Sequence, residues 1–315
     1  MNTNRWDVVV IGGGPAGLST ALTLVRARRR VLVLDSGLPR NRFAAHMHGV
    51  LGHDGKSPLT LLAEGRAEVE GYGGVIREAT VVRTGRVDDG FEVEDSDGRV
   101  VLARKLVVAT GLRDELPDIE GLADYWGRGV AVCPYCDGYE VRDRRIGVLA
   151  TSQMSVPYTQ LVRQWSSSVV YLADTVGPPT GADRMGFDAR GIEIEEGAVR
   201  RVIADADGIR GVEMADGRTI DLDAIFTHPH SVALDEPLRQ LGADRTETPL
   251  GSFVNVDPTG RTSVAGVWAV GNTVNAAANV PASIGAGSAA GGALNYDLVL
   301  DDVQLALGAA KEDAA

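Results

Sequence analysis

Cys133 and Cys136 are the only cysteines of the chain, and they stand in one Cys-Pro-Tyr-Cys motif. Two thiols at this spacing, at the start of a helix, can close into a disulfide and exchange two electrons with a bound partner. The helix dipole lowers the thiol pKa and favours the thiolate of the reduced pair. Asp137 follows directly; partly buried, its carboxyl would rise in pKa and shuttle a proton for a sulfur. It also suits a helix N-terminus by charge alone, so a structural role stays open. A zinc site would need two further ligands. His46, His48, His53, His228 and His230 are on offer, but there is no second CxxC and no metal is expected.

The elements that must position this pair begin with a nucleotide unit. Asp7–Ile11 is a continuous β-branched run of the kind buried on both faces of a sheet. It enters Gly12-Gly-Gly14-Pro-Ala-Gly17, then a helix from Leu18 to Arg26, then the strand Val31–Leu34 with Asp35 at its end. Gly12 permits the tight turn, Gly14 lets a pyrophosphate approach backbone, and Gly17 lets the helix pack on the strand. Asp35 can accept from an adenosine ribose. The fingerprint alone does not separate FAD from NAD. Val75 to Val108 reads as a small antiparallel meander broken at Asp89-Gly90 and Asp97-Gly98. Leu106–Gly111 is a buried strand ending in a small-residue turn. Gly266–Asn272 repeats that pattern before a small-residue helix, Pro281 to Leu294.

Length and composition set the bounds. At 315 residues, 44% hydrophobic and 23% charged, the chain has the profile of a soluble α/β protein of two domains or one large one. A net charge of −12 argues against nucleic acid or anionic membrane as partner. The basic group at Arg26 and Arg28–Arg30 is the C-terminal end of a helix. No apolar run approaches the roughly 20 residues that span a bilayer. The first residues lack a signal-peptide pattern, so a cytoplasmic location is expected. In that compartment a CxxC is catalytic or metal-binding more often than a staple.

In its motifs the chain resembles the flavin-dependent disulfide oxidoreductases of the low-molecular-weight thioredoxin reductase type. The anchors are Gly12–Gly17, Ala109-Thr-Gly111, Cys133-Pro-Tyr-Cys136-Asp137-Gly138 and Gly266–Asn272, in the family's order. The resemblance implies an α/β fold of two Rossmann-like, three-layer domains. A discontinuous FAD domain with a β-meander would cover 1–116 and 248–315, and a CxxC-bearing domain 117–247. It implies FAD held by Gly12, Gly14, Pro15, Ala16, Gly17, Asp35, Ser36, Asn41, Val82, Thr110, Gly111, Gly271, Asn272 and Val280. Asn272 stands where the family carries an acid. His46–Gly49, with His48 foremost, lines the FAD or the substrate groove. A homodimer is implied as well.

The second domain departs from the pattern. After Arg145–Leu149 the chain reads Ala150-Thr-Ser-Gln-Met-Ser-Val-Pro157, and the phosphate-cradling glycines are gone. A helix follows from Tyr158 to Trp165, and the next strand ends in Asp174, where NADPH-using relatives carry basic residues. NADPH is therefore not expected to bind tightly. This narrows the resemblance to the dithiol oxidases that close the disulfides of holomycin, gliotoxin and related metabolites. It implies a small dithiol oxidised at Cys133 and Cys136, with Cys136 nearer the flavin, FAD taking the electrons, and O2 reduced to H2O2. The alternatives are a thioredoxin reductase fed by ferredoxin or NAD(P)H, and a flavin-binding sensor without turnover; the intact CxxC counts against the sensor.

Overall fold

The computed structural model describes residues 5–248 and 251–312. Two compact units emerge: the described residues within 1–40, 59–113 and 231–315, and residues 41–58 with 114–230. The boundaries differ from the sequence-based division at three segments, 41–58, 114–116 and 231–247. Residues 231–247 join the first unit because Thr84 Oγ1 donates to the Pro237 carbonyl at 2.8 Å and its amide to the Gln240 side chain at 2.7 Å. Residues 41–58 join the second because His48 lies against Glu140. Gly127 is pressed so closely on Phe43 that a Cβ there would come within 2.9 Å of the Phe43 Cβ.

In the first unit, five parallel strands run in the order Val75–Glu78, Val31–Asp35, Arg5–Ile11, Val100–Val108 and Val267–Ala269. Val100–Val108 is one long strand. Its first half pairs antiparallel with Gly90–Asp95, which pairs in turn with Val81–Val87. The meander is thus continuous with the parallel sheet, and Val75–Glu78, expected in it, is a parallel edge strand instead. Alternation explains the layers. Val8, Val10, Val31 and Val33 face Leu24, Ala290 and Leu294 on one side, while Val9, Ile11, Leu32 and Leu34 share a cluster with Phe91, Val93 and Leu238 on the other.

Two helices cover the first face. Pro15–Arg26 starts earlier than expected because Pro15 suits the first turn. Val280–Glu312 runs well beyond Leu294. Sequence reading ended it at the small residues; ion pairs of Asp297 with Lys105 at 2.6 Å and of Asp302 with Arg29 at 2.7 Å hold the extension on the unit. Where the helices cross, Gly287 lies against the Ala16 carbonyl with no room for a Cβ. Thr20 Oγ1 donates to the Gly287 carbonyl at 3.0 Å and Ser19 Oγ to the Ile284 carbonyl at 2.8 Å.

The second unit repeats the plan. Five parallel strands run in the order Glu193–Glu195, Ser168–Leu172, Arg145–Leu149, Ala224–Thr227 and Val130–Ala131. The helix after the departed turn is Ser155–Val162, three residues earlier than expected, with Val156, Tyr158 and Val162 buried against Ile146, Val148 and Phe226. An antiparallel sheet of Val199–Asp205, Gly208–Met214 and Thr219–Asp221 packs Val202 and Val212 on Leu149 and Leu172. Each unit is a three-layer Rossmann-like domain. Among the described residues, no helix is long and apolar enough to cross a membrane.

Candidate active site

The strand Arg5–Ile11 ends in a turn built for phosphate. Gly12 has φ +108°, and a Cβ on it would overlap the Ala109 carbonyl. Gly14 caps the helix Pro15–Arg26 without any side-chain hydrogen bond and has open space in front of it. The helix N-terminal amides are thereby left for an anion. Asp35 is buried. Its Oδ1 accepts from the Gly13 amide at 2.9 Å and its Oδ2 pairs with Arg66. Each oxygen keeps a lone pair for a ribose hydroxyl. Gly13 and Arg66 escaped sequence reading: a Cβ on Gly13 would come within 2.7 Å of the Asp35 Cγ, and Arg66 lies 31 residues from its partner.

Most of the other predicted cofactor residues of this unit fall at the ends of the sheet strands. Thr110 and Gly111 follow Val100–Val108, and the Gly111 amide donates to Thr273 Oγ1 at 2.7 Å. Buried Thr273 was not read from the sequence. A Cβ on Gly271 would come within 2.8 Å of the Ala16 Cβ, so these two turns are in contact. Asn272 Nδ2 donates to the carbonyls of Asn275 at 2.9 Å and Ala278 at 2.8 Å and so shapes that loop. Val280 opens the long helix, exposed Ser36 follows Asp35, and half-exposed Val82 gives its carbonyl to Gln240 at 3.1 Å. Asn41 and His48 belong to the second unit. The residues gathered in the first unit fit a dinucleotide.

In the second unit Cys133 and Cys136 are joined as a disulfide, with Cys133 at the N-cap of the short helix Pro134–Asp137. Its amide donors are Cys136 and Asp137, both bonding the Cys133 carbonyl at 3.0 Å. The helix sits on Trp165: a Cβ on Gly138 would come within 2.9 Å of its indole, and Tyr135 packs edge-on at 5.3 Å. Asp137 is half-buried, and burial first, then the charge of Glu140, pushes its carboxyl up to about 6. His48 acts in the opposite direction. Its imidazole lies between Glu140, 3.5 Å from Nε2, and Asp54, 3.4 Å from Nδ1. His48 thus stands with the disulfide-bearing helix. His46 Nδ1 lies 3.0 Å from the Gly55 carbonyl. Among the described residues no group of three or more His, Cys, Asp or Glu is placed to hold a metal.

The departed turn is closed on itself. Buried Ser155 Oγ accepts from the Thr151 amide at 3.1 Å and the Ser152 amide at 3.4 Å, the donors a phosphate would require. Gln153 and Met154 are exposed side chains in that turn. Asp174 Oδ1 accepts from the Val199 amide at 2.8 Å, so the acid anchors the antiparallel sheet. A cleft of about 310 Å3 remains nearby, lined by Glu115, Leu116, Pro117, Thr151, His228 and His230.

The chain is similar over nearly its whole length to known proteins. The chain is 30% identical to thioredoxin reductase sirT of Leptosphaeria maculans, covering 95% of this chain and 96% of that one. It is 33% identical to thioredoxin reductase tcpT of Claviceps purpurea over the same shares. Among solved structures, that of HlmI superposes with TM-score 0.94 at 45% identity, covering 100% of this chain and 99% of the other. An oxidoreductase from Agrobacterium tumefaciens superposes with TM-score 0.89 at 36% identity, covering 94% and 99%. Residues 6–291 match one family throughout, and FAD is its cofactor. The chain belongs to the pyridine nucleotide-disulphide oxidoreductases, as an FAD-binding, thioredoxin reductase-like member.

Proposed function

We propose that this protein is an FAD-dependent dithiol oxidase that closes a disulfide within a small-molecule dithiol of dithiolopyrrolone or epidithiol type and reduces O2 to H2O2. It works as a homodimer. One substrate thiolate attacks Sγ of Cys133, forming a mixed disulfide and releasing Cys136 as a thiolate. The second substrate thiolate attacks the substrate sulfur of that mixed disulfide; the cyclic disulfide leaves and Cys133 becomes the second thiolate. Asp137, ionised above pH about 6, takes a proton from a substrate thiol. Bound FAD supplies the acceptor for the electron pair and its passage to O2. Two electrons and two protons leave the dithiol and appear in one H2O2.

The observation that carries this reading is the turn 150–155. Two of its amides already serve Ser155 and its glycines are replaced, which argues against tight binding of a nicotinamide dinucleotide's phosphates there. The supporting resemblance is to HlmI and the thioredoxin reductases sirT and tcpT over nearly the whole chain. The test is aerobic turnover of reduced holomycin or reduced gliotoxin without any nicotinamide. The expected result is one H2O2 per disulfide formed. Disulfide formation without peroxide, or no dithiol oxidation but reduction of thioredoxin by reduced ferredoxin, would overturn it.

A further inference from the structure

The residues that closed the nucleotide turn lead to the redox loop. Thr151 Oγ1 donates to the His228 carbonyl at 2.8 Å. The His228 ring lies on the Tyr158 ring with centroids 3.9 Å apart and planes tilted 37°. Tyr158 Oη donates to the Val132 carbonyl at 2.8 Å, and Val132 is the residue before Cys133. We propose that Thr151, His228 and Tyr158 form a strut that fixes the entry of the redox loop, making Tyr158 a positioning residue for the Cys133–Cys136 disulfide.

Each member suits that role. Burial, and then the charge of Asp137, raise the Tyr158 phenol above its ordinary value, so it remains a donor throughout the working pH range. Burial lowers the His228 imidazole, keeping the stacked ring neutral. Its Nδ1 is buried without a hydrogen-bond partner among the described residues, so the ring is held there by packing and not by a polar contact. Thr151 is the second residue of the departed turn, and Tyr158 lies on the helix that follows it. The charged group facing Tyr158 is Asp137, which Glu140 and His48 influence in turn, with Asp54 beside His48; none of them bonds the Tyr158 hydroxyl. The former nucleotide turn thus holds the chain that carries the disulfide.

The strut rests on the proposed exchange at Cys133, and the test separates the two. The holoprotein is equilibrated anaerobically in oxidised and reduced dithiothreitol, and the free cysteines are trapped and counted by mass. Tyr158→Phe removes one neutral hydrogen bond and should make the disulfide about fivefold easier to reduce. Thr151→Val should shift the equilibrium at least about twofold in the same direction, and Thr151→Ser should match the wild type. The double variant of Thr151→Val with Tyr158→Phe should go no further than Tyr158→Phe, because the strut is already cut. Tyr158→Phe at the wild-type value, or Thr151→Val and Thr151→Ser behaving alike, overturns the strut. If Tyr158→Phe does not fold, the two Thr151 variants decide. A wild-type pair that does not exchange with dithiothreitol would instead overturn the functional reading.

Discussion

Cys133→Ser and Cys136→Ser should each lower turnover of a small dithiol on the order of a thousandfold or more, while the protein stays yellow with FAD bound. The size follows from removing the oxidant itself: a lone thiol has no S–S bond for a substrate thiolate to break. Residues acting as one unit fail together, so the double variant should be no slower than either single one. Flavin retention follows from the fold. The nucleotide turn Gly12–Gly17, Asp35 and Thr273 lie in the first unit, and both cysteines lie in the second. Flavin absorbance and dithiol turnover, measured on the same preparations, check both halves. A loss of FAD with the cysteines would contradict the separation.

Asp137→Asn is expected to reduce dithiol turnover about a hundredfold and to remove its acid limb. General acid–base groups contribute about that much or more. In the native protein, activity should fall as pH drops through about 6, where Asp137 takes up its proton. The asparagine variant should show no such limb. Stability should move the other way. The folded pKa of Asp137 lies above the 3.8 of an unperturbed carboxyl, so the folded state binds a proton more tightly than the unfolded chain does. That contribution is fully present below about pH 4 and is lost as pH rises through about 6. At pH 8 the buried carboxylate costs roughly 3 kcal/mol, from about two pKa shifts of 1.36 kcal/mol each. Asparagine carries no charge, so the variant should unfold at higher denaturant than the native protein at pH 8. Unchanged stability at pH 8 would deny that Asp137 is held in a desolvated place.

The parts of this site legible in sequence are those whose chemistry is local. Gly12 to Gly17, Asp35 and the Cys-Pro-Tyr-Cys motif declare their roles by spacing, because one turn or one helix start makes every needed contact. The missing glycines after Leu149 were legible for the same reason. What filled the space was not. Thr273 serves Gly111 from 162 residues away, and Arg66 serves Asp35 from 31. Glu140 and His48 meet only because the 41–58 segment folds onto the second unit. Tyr158 reads as an ordinary buried aromatic until Val132 is placed beside it. The C-terminal helix shows a second limit. Its glycines look like an end in sequence, but they mark the crossing with Ala16, and the helix continues on ion pairs to Lys105 and Arg29.

The direction of electron flow is the central claim, and anaerobic rapid mixing of the holoprotein tests it most directly. Excess NADPH should leave the flavin absorbance near 450 nm, the ordinary band of oxidised flavin, unchanged over minutes. A small dithiol should bleach it, and readmitted air should restore it with H2O2. Rapid bleaching by NADPH, with no response to the dithiol, would contradict the account.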